Sequence, residues 1–171
     1  LPERNVFLLS KRGNKMKNTK TNVMRLLDEA NISYTPYEYD ETIVDGEGVA
    51  LALNEDPECV FKSLVCENDK HEHFIFEVPV NGNLNLKKAA KASHSKSIEL
   101  IPLKQLLPLT GYVHGGCSPI GLKKSMPVFI DETAQIFDKI YISGGKRGFQ
   151  VCLSPLDLKE YTNAEFVDIL G

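Results

Sequence analysis

The sequence predicts an α+β domain built around a mixed, largely antiparallel sheet. Segments with strand character outnumber those with helical spacing, and the connections between them read as hairpin turns. Neither an alternating βα pattern nor an internal repeat runs along the chain. At 171 residues the chain suits one domain, with a core large enough to stand without metal or disulfide staples. Residues 1–15 carry only a short apolar run, Val6-Phe7-Leu8-Leu9. They lack the basic region, longer apolar core and small-residue cleavage site of a signal peptide. They are read as an N-terminal extension or cloning remnant, and residues 16–171, from Met16, as the domain.

Taken in order, Thr21 is a helix N-cap candidate, and Val23, Met24, Leu26, Leu27 and Ala30 recur at helical spacing until Asn31. Residues 32–39 follow as a strand with Tyr34, Tyr37 and Tyr39 as its aromatic members. An acidic loop over 40–47 leads to a short helix over 49–53 ending near Asn54, and Asp56-Pro57 makes the next turn. Residues 59–67 alternate as a strand, with Val60, Lys62, Leu64 and Cys66 on one face and Phe61, Ser63 and Val65 on the other. A turn over 68–72 returns the chain as a hairpin partner over 73–80, and Asn81-Gly82-Asn83 turns it again. A helix is expected over 86–92, a short strand over 97–101 and a short helix over 103–107. Buried strands are expected over 128–131 and 140–143, the second joined by the basic glycine turn 144–148 to a strand over 149–153. Ser154 caps and Pro155 starts a last helix.

Composition narrows the function classes. A net charge of −3 gives no global basic field to draw in nucleic acid, so any RNA contact must come from local lysine clusters. No segment is apolar for long enough to span a membrane. Cys59, Cys66, Cys117 and Cys152 form no CxxC pair and lie far apart, which favours reduced thiols in a cytoplasmic protein over a zinc or disulfide framework. His71 and His73 flank Glu72 in a polar turn without a third ligand, so no metal and no cofactor is expected.

The chemistry-bearing stretch is residues 111–121, with four glycines, a proline and a serine in eleven residues. Such a loop is a tight structural turn, or a stiff cradle whose unpaired N–H groups hold an anion or a developing oxyanion. Lys62, in an apolar strand row, is a proton shuttle or a charged anchor for an anionic or carbonyl oxygen. The alternative is an edge lysine whose stem covers the sheet. Ser118 has no Gly-x-Ser-x-Gly elbow around it and fits a positioning role. His114 reads as a packed or solvated residue beside a turn, and Cys117 as a small apolar filler without a histidine partner. Lys87, Lys88 and Lys91, Lys123 and Lys124, and Lys146 and Arg147 form basic clusters. Each alone is a solvated face; together they are consistent with a rim for a phosphate-bearing substrate.

Taken together and in order, Val60-Phe61-Lys62-Ser63-Leu64-Val65, Asn85-Leu86-Lys87-Lys88-Ala89-Ala90-Lys91-Ala92, Thr110-Gly111-Tyr112, Gly115-Gly116-Cys117-Ser118-Pro119-Ile120-Gly121 with Lys123-Lys124, and Ile142-Ser143-Gly144-Gly145-Lys146-Arg147-Gly148 resemble the YbaK/EbsC family of aminoacyl-tRNA deacylases, in its Cys-tRNA(Pro) branch. The similarity runs from about residue 19 to 170. It implies a mixed or barrel-like sheet with flanking helices, as in the editing domain of bacterial prolyl-tRNA synthetases. It also implies removal of a wrong amino acid from tRNA(Pro), with mischarged tRNA(Pro) and prolyl-tRNA synthetase as partners and neither DNA nor membrane. By this resemblance Lys62, Gly115 and Gly116 are the catalytic set. Tyr39, Ser118, Pro119, Gly121, Gly145, Lys146 and Gln150 bind substrate. Lys87, Lys88, Lys91, Lys123, Lys124 and Arg147 bind tRNA. Gln150 stands where close bacterial relatives carry an acid, and an amide supplies neither a charge nor a base.

Overall fold

In the computed structural model, residues 7–8 and 20–171 are described. Nearly every element starts where the sequence supplies a cap. Thr21 accepts the Met24 N–H and opens α1 (Asn22–Glu29). After β2 (Tyr34–Glu38), Asp45 accepts the Gly48 N–H and opens α2 (Gly46–Leu53), which stops at left-handed Asn54. A 3₁₀ turn over Pro57–Cys59 feeds the long hairpin β3 (Phe61–Asn68) and β4 (His73–Pro79). Asn85 caps α3 (Leu86–Ala92), followed by β5 (Ile98–Leu100), a 3₁₀ turn and α4 (Leu106–Thr110). Beyond the glycine loop come β6 (Val128–Asp131), the hairpin β7 (Ile140–Ser143) and β8 (Phe149–Leu153), and α5 (Pro155–Thr162), capped by Ser154.

The strands form two sheets. One, in the order β1-β2-β8-β7, is antiparallel throughout; β1 (Phe7–Leu8) pairs with Tyr37 and Glu38 at its edge. Apart from that two-residue strand, the 1–15 segment lies outside the described residues. The other sheet, β5-β3-β4-β6-β9, is mixed, because β6 lies parallel to both β4 and β9 (Glu165–Val167). Neither sheet closes into a barrel. They meet at a parallel bridge between Val60 and Tyr141. The α+β class holds, and the strands that patterning does not announce are β1, in the stretch read as an extension, and β9. Three residues, Glu-Phe-Val, are too short for a period-two signal.

The strand faces sort the core. Phe61, Val65 and Ile75 pack with Val23, Met24 and Leu27 of α1, with Ile142 and Val151, and with Cys117 and Ile120 of the glycine loop. Cys66, Phe74, Phe76 and Val78 pack on the opposite side with α3 and Phe129. The central hairpin is thus covered on both faces, and any polar side chain it carries is drawn inward.

Candidate active site

A cavity of about 380 Å³ lies between the start of β3, the loop entering α2, the glycine loop and the β7–β8 hairpin. Lys62 stands on its strand wall, half-buried, beside Ser63. Its Nζ reaches the Val80 carbonyl at 3.4 Å and forms no ion pair among the described residues. The ammonium is therefore held in place without being neutralised. A cation fixed at a cavity wall attracts an ester carbonyl, a ribose oxygen or a phosphate.

Gly115 and Cys117 line the facing wall, together with His114. This loop is rigid for stated reasons. The Tyr112 hydroxyl donates to the Ile120 carbonyl, the Ile120 N–H donates to Ser118 Oγ at 3.1 Å, and Arg147 Nε donates to the His114 carbonyl at 2.8 Å. Gly115 has φ +87°, and a Cβ there would come within 3.0 Å of Val44. A Cβ on Gly116 would meet the Lys146–Arg147 backbone at 3.1–3.2 Å, so glycine is what lets the two turns touch. The Gly116 N–H is spent on the Val113 carbonyl at 3.0 Å. The N–H groups of Gly115 and Cys117 have no partner among the described residues.

The remaining expected residues fall in several places. Gln150 lines the cavity, with Tyr39 buried behind it. The two side chains approach each other, yet neither the Tyr39 hydroxyl nor Gln150 Oε1 completes a hydrogen bond, and burial pushes the Tyr39 hydroxyl's pKa upward. Ser118 and Pro119 are buried and do not reach the cavity; the Ser118 hydroxyl serves its own loop. Gly121 abuts Leu26 of α1, and Gly145 abuts Val23. Lys146 is exposed on the basic turn, and Arg147 clamps the glycine loop. Lys87 and Lys91 are exposed on α3, while Lys88 is paired with Asp168 at 3.1 Å and bonded to the Leu170 carbonyl. Lys123 is exposed, and Lys124 borders a separate depression with Glu67 and His73. The structure therefore gathers Lys62, Gly115 and Gln150 at one cavity and disperses the lysine clusters around the surface.

Sequence reasoning passed over Glu77. It is fully buried on β4, directly across from Ser63, and neither carboxylate oxygen has a hydrogen-bond partner. Burial pushes its pKa up to about 7, while the nearby Ser63 hydroxyl pulls the other way. The pair is apposed rather than bonded. Burial, reinforced by the Glu77 carboxylate, pushes the Cys117 thiol up to about 12 against the opposing pull of the nearby Thr110 hydroxyl, so at neutral pH it is no nucleophile. A usable signal existed: the run Phe74-Ile75-Phe76-Glu77-Val78 places an acid in an otherwise apolar strand.

The class of the protein is that of the aminoacyl-tRNA editing domains. The model of the aminoacyl-tRNA editing domain matches residues 40–161, and the chain belongs to that family, in its YbaK/EbsC branch. It is 41% identical over 152 residues to "Putative Cys-tRNA(Pro)/Cys-tRNA(Cys) deacylase EbsC" of Enterococcus faecalis (strain ATCC 700802 / V583), covering 88% of this chain and 93% of that one. Among solved structures, a hypothetical protein superimposes with a TM-score of 0.82 at 19% identity, covering 88% of this chain and 100% of that one. "Crystal structure of a putative trans-editing enzyme for prolyl tRNA synthetase" gives 0.75 at 21%, covering 87% and 96%. These last two likenesses support the fold alone.

Proposed function

We propose that this chain deacylates mischarged Cys-tRNA(Pro), with Cys-tRNA(Cys) as a second substrate, through attack of the substrate's own thiol on its ester. The observation that supports the reading is an un-neutralised Lys62 on one wall of a small cavity whose other wall carries Gly115 and Cys117, with N–H groups that have no partner among the described residues. That cavity, in an editing-family chain, offers a cation and backbone donors but no activated nucleophile. Ser118 is turned away, and Cys117 holds its proton.

In the proposed reaction the cysteinyl sulfur bonds to the carbonyl carbon and the bond to the ribose oxygen breaks. The thiol proton passes to the departing oxygen, leaving a cyclic thiolactone that water opens. The protein places sulfur near carbonyl, which is worth roughly 7 to 11 kcal/mol in the best intramolecular cases. It also stabilises the oxyanion, worth about 3 kcal/mol per well-placed donor. In this reading the Gly115 N–H and Lys62 do so. Gly116, whose N–H is already paired, holds the loop against the basic turn. In this reading the chain works in the cytoplasm beside prolyl-tRNA synthetase. The exposed Lys87, Lys91, Lys123, Lys146 and Arg147 meet the acceptor stem.

A deacylation assay on Cys-, Ser- and Ala-tRNA(Pro) tests this. The cysteinyl ester should be cleaved fastest by a wide margin. Equal cleavage of the seryl ester would remove the thiol mechanism, preferential cleavage of Ala-tRNA(Pro) would make the chain a hydrolytic editor, and binding without cleavage would make it a non-catalytic module.

A further inference from the structure

We propose that Glu77 is a positioning residue for the aminoacyl group. Its carboxylate takes the Ser63 O–H and so turns the Ser63 lone pairs into the cavity, where they accept a hydrogen bond from the substrate's α-ammonium. This rests on the reading of the cavity as an aminoacyl-ester site.

Two features of the geometry and one of the substrate carry it. Ser63 and Glu77 are Cα partners across the β3–β4 ladder, and Ser63 lines the cavity while Glu77 lies wholly beneath it. Both Glu77 oxygens are unpaired, an arrangement that costs stability and that a function would explain. An aminoacyl ester also carries a cationic amine one carbon from its carbonyl. Lys62 serves the carbonyl side; of the other acceptors on the lining, Asp45 Oδ2 already caps α2 through the Gly48 N–H and Gln150 is a neutral amide, so Ser63 backed by the buried acid is the acceptor that brings a negative charge to the amine.

The protonation state decides the polarity of Ser63. With Glu77 protonated, the acid donates to Ser63 Oγ and the serine O–H points to the cavity as a donor, which repels an ammonium. With Glu77 ionised, the serine becomes an acceptor backed by a negative charge. The carboxyl titrates near 7, so the ammonium-binding form is the one above that value. The groups around Glu77 leave its titration to itself. Cys117, from the glycine loop, stays neutral. Lys62 projects to the opposite strand face from Ser63. From β6 the partner is Ile130, which is apolar.

The test has two independent arms. In the ligand-free chain, infrared or ¹³C NMR titration of carboxyl groups, assigned with Glu77→Gln, should show Glu77 ionising near 7, and Ser63→Ala should move that titration upward. Ionisation in the ordinary carboxylate range, or no response to Ser63→Ala, overturns the pairing whether or not the chain deacylates anything. With Cys-tRNA(Pro), the ratio of wild-type to Glu77→Gln kcat/KM should rise about tenfold as pH passes through that midpoint, mainly through KM. With N-acetyl-Cys-tRNA(Pro), which has no ammonium, the ratio should stay flat. A rise that persists with the acetylated ester, or no rise with the free amine, overturns the ammonium contact. A wild-type chain inactive on every ester overturns the deacylase reading and the aminoacyl assignment together, and the titration still reports the Glu77–Ser63 pair.

Discussion

The two walls of the cavity are built on opposite principles. The strand wall offers side chains: Lys62 and Ser63 border the cavity from opposite faces of a ladder that fixes their backbone, and Glu77 lies across from Ser63. The loop wall offers backbone, because the polar side chains at it are occupied with main-chain atoms: the Tyr112 hydroxyl with the Ile120 carbonyl, Ser118 Oγ with the Ile120 N–H, and Arg147, from the basic turn, with the His114 carbonyl. A β-ladder leaves alternate side chains free to face a ligand, since main-chain bonds already hold the strand. A glycine-rich loop has no ladder, so its polar side chains are consumed in holding its shape, and N–H groups are what it can present.

The largest expected effect falls on the strand wall. Lys62→Ala should lower kcat/KM for Cys-tRNA(Pro) by about 10²- to 10³-fold, the loss typical of one charge-stabilising donor. The melting temperature should hardly change, because the Nζ makes a single long contact. A variant within a few-fold of wild type would make the strand wall passive.

Glu77 gives the same wall a pH-dependent stability. Its folded-state pKa is raised from 4.5 to about 7, so the folded chain holds a proton that the unfolded chain releases. The stabilisation from that proton is complete below the unfolded value and lost as pH rises through the folded one, on the order of 3 kcal/mol in all. Urea midpoints at about pH 5 and about pH 8 should fall in the wild type and stay level in Glu77→Gln. The lowered pKa values of Asp40 and Asp69 act below this window and the raised cysteine and tyrosine values above it. A level wild-type curve would mean that the carboxyl ionises in the ordinary range because a group other than Ser63 stabilises it, and the Glu77–Ser63 pairing would fall with this prediction.

On the loop wall the sensitive position is Gly116. Gly116→Ala forces the Lys146–Arg147 backbone back by a few tenths of an ångström. It should cost about 1 to 2 kcal/mol in stability, an overpacking penalty, and reduce turnover by shifting the Gly115 and Cys117 N–H groups. Turnover unchanged at a lowered stability would show that those donors are not used.

The contrast between the walls also explains what the sequence discloses. Local signals place the caps at Thr21 and Ser154, the hairpin at 144–148 and the alternation that puts Lys62 and Ser63 on separate faces. These depend on neighbours in the chain, so they are legible there. The parallel pairing of β6 with β4 and β9, the clasp of the glycine loop on the basic turn and the burial of Glu77 depend on residues tens of positions apart. Periodicity carries no record of such distances. The glycine loop was visible as a special stretch, but composition could not say which of its polar atoms were already spoken for.

Ser118 is where that limit is sharpest, and it yields the smallest effect. Its place in the glycine motif suggests a hydroxyl aimed at substrate, whereas the fold buries it fully and sets its Oγ on the Ile120 N–H. Ser118→Ala leaves that buried N–H unpaired, which should cost about 1 to 2 kcal/mol of stability. Measured well below the melting transition, kcat/KM for Cys-tRNA(Pro) should change less than about twofold, because no atom of Ser118 lines the cavity. The opposite result, a tenfold loss of kcat/KM at unchanged stability, would mean that the loop opens in the complex and turns the hydroxyl outward. The loop wall would then supply a side chain as the strand wall does, and the division of labour between them would fail.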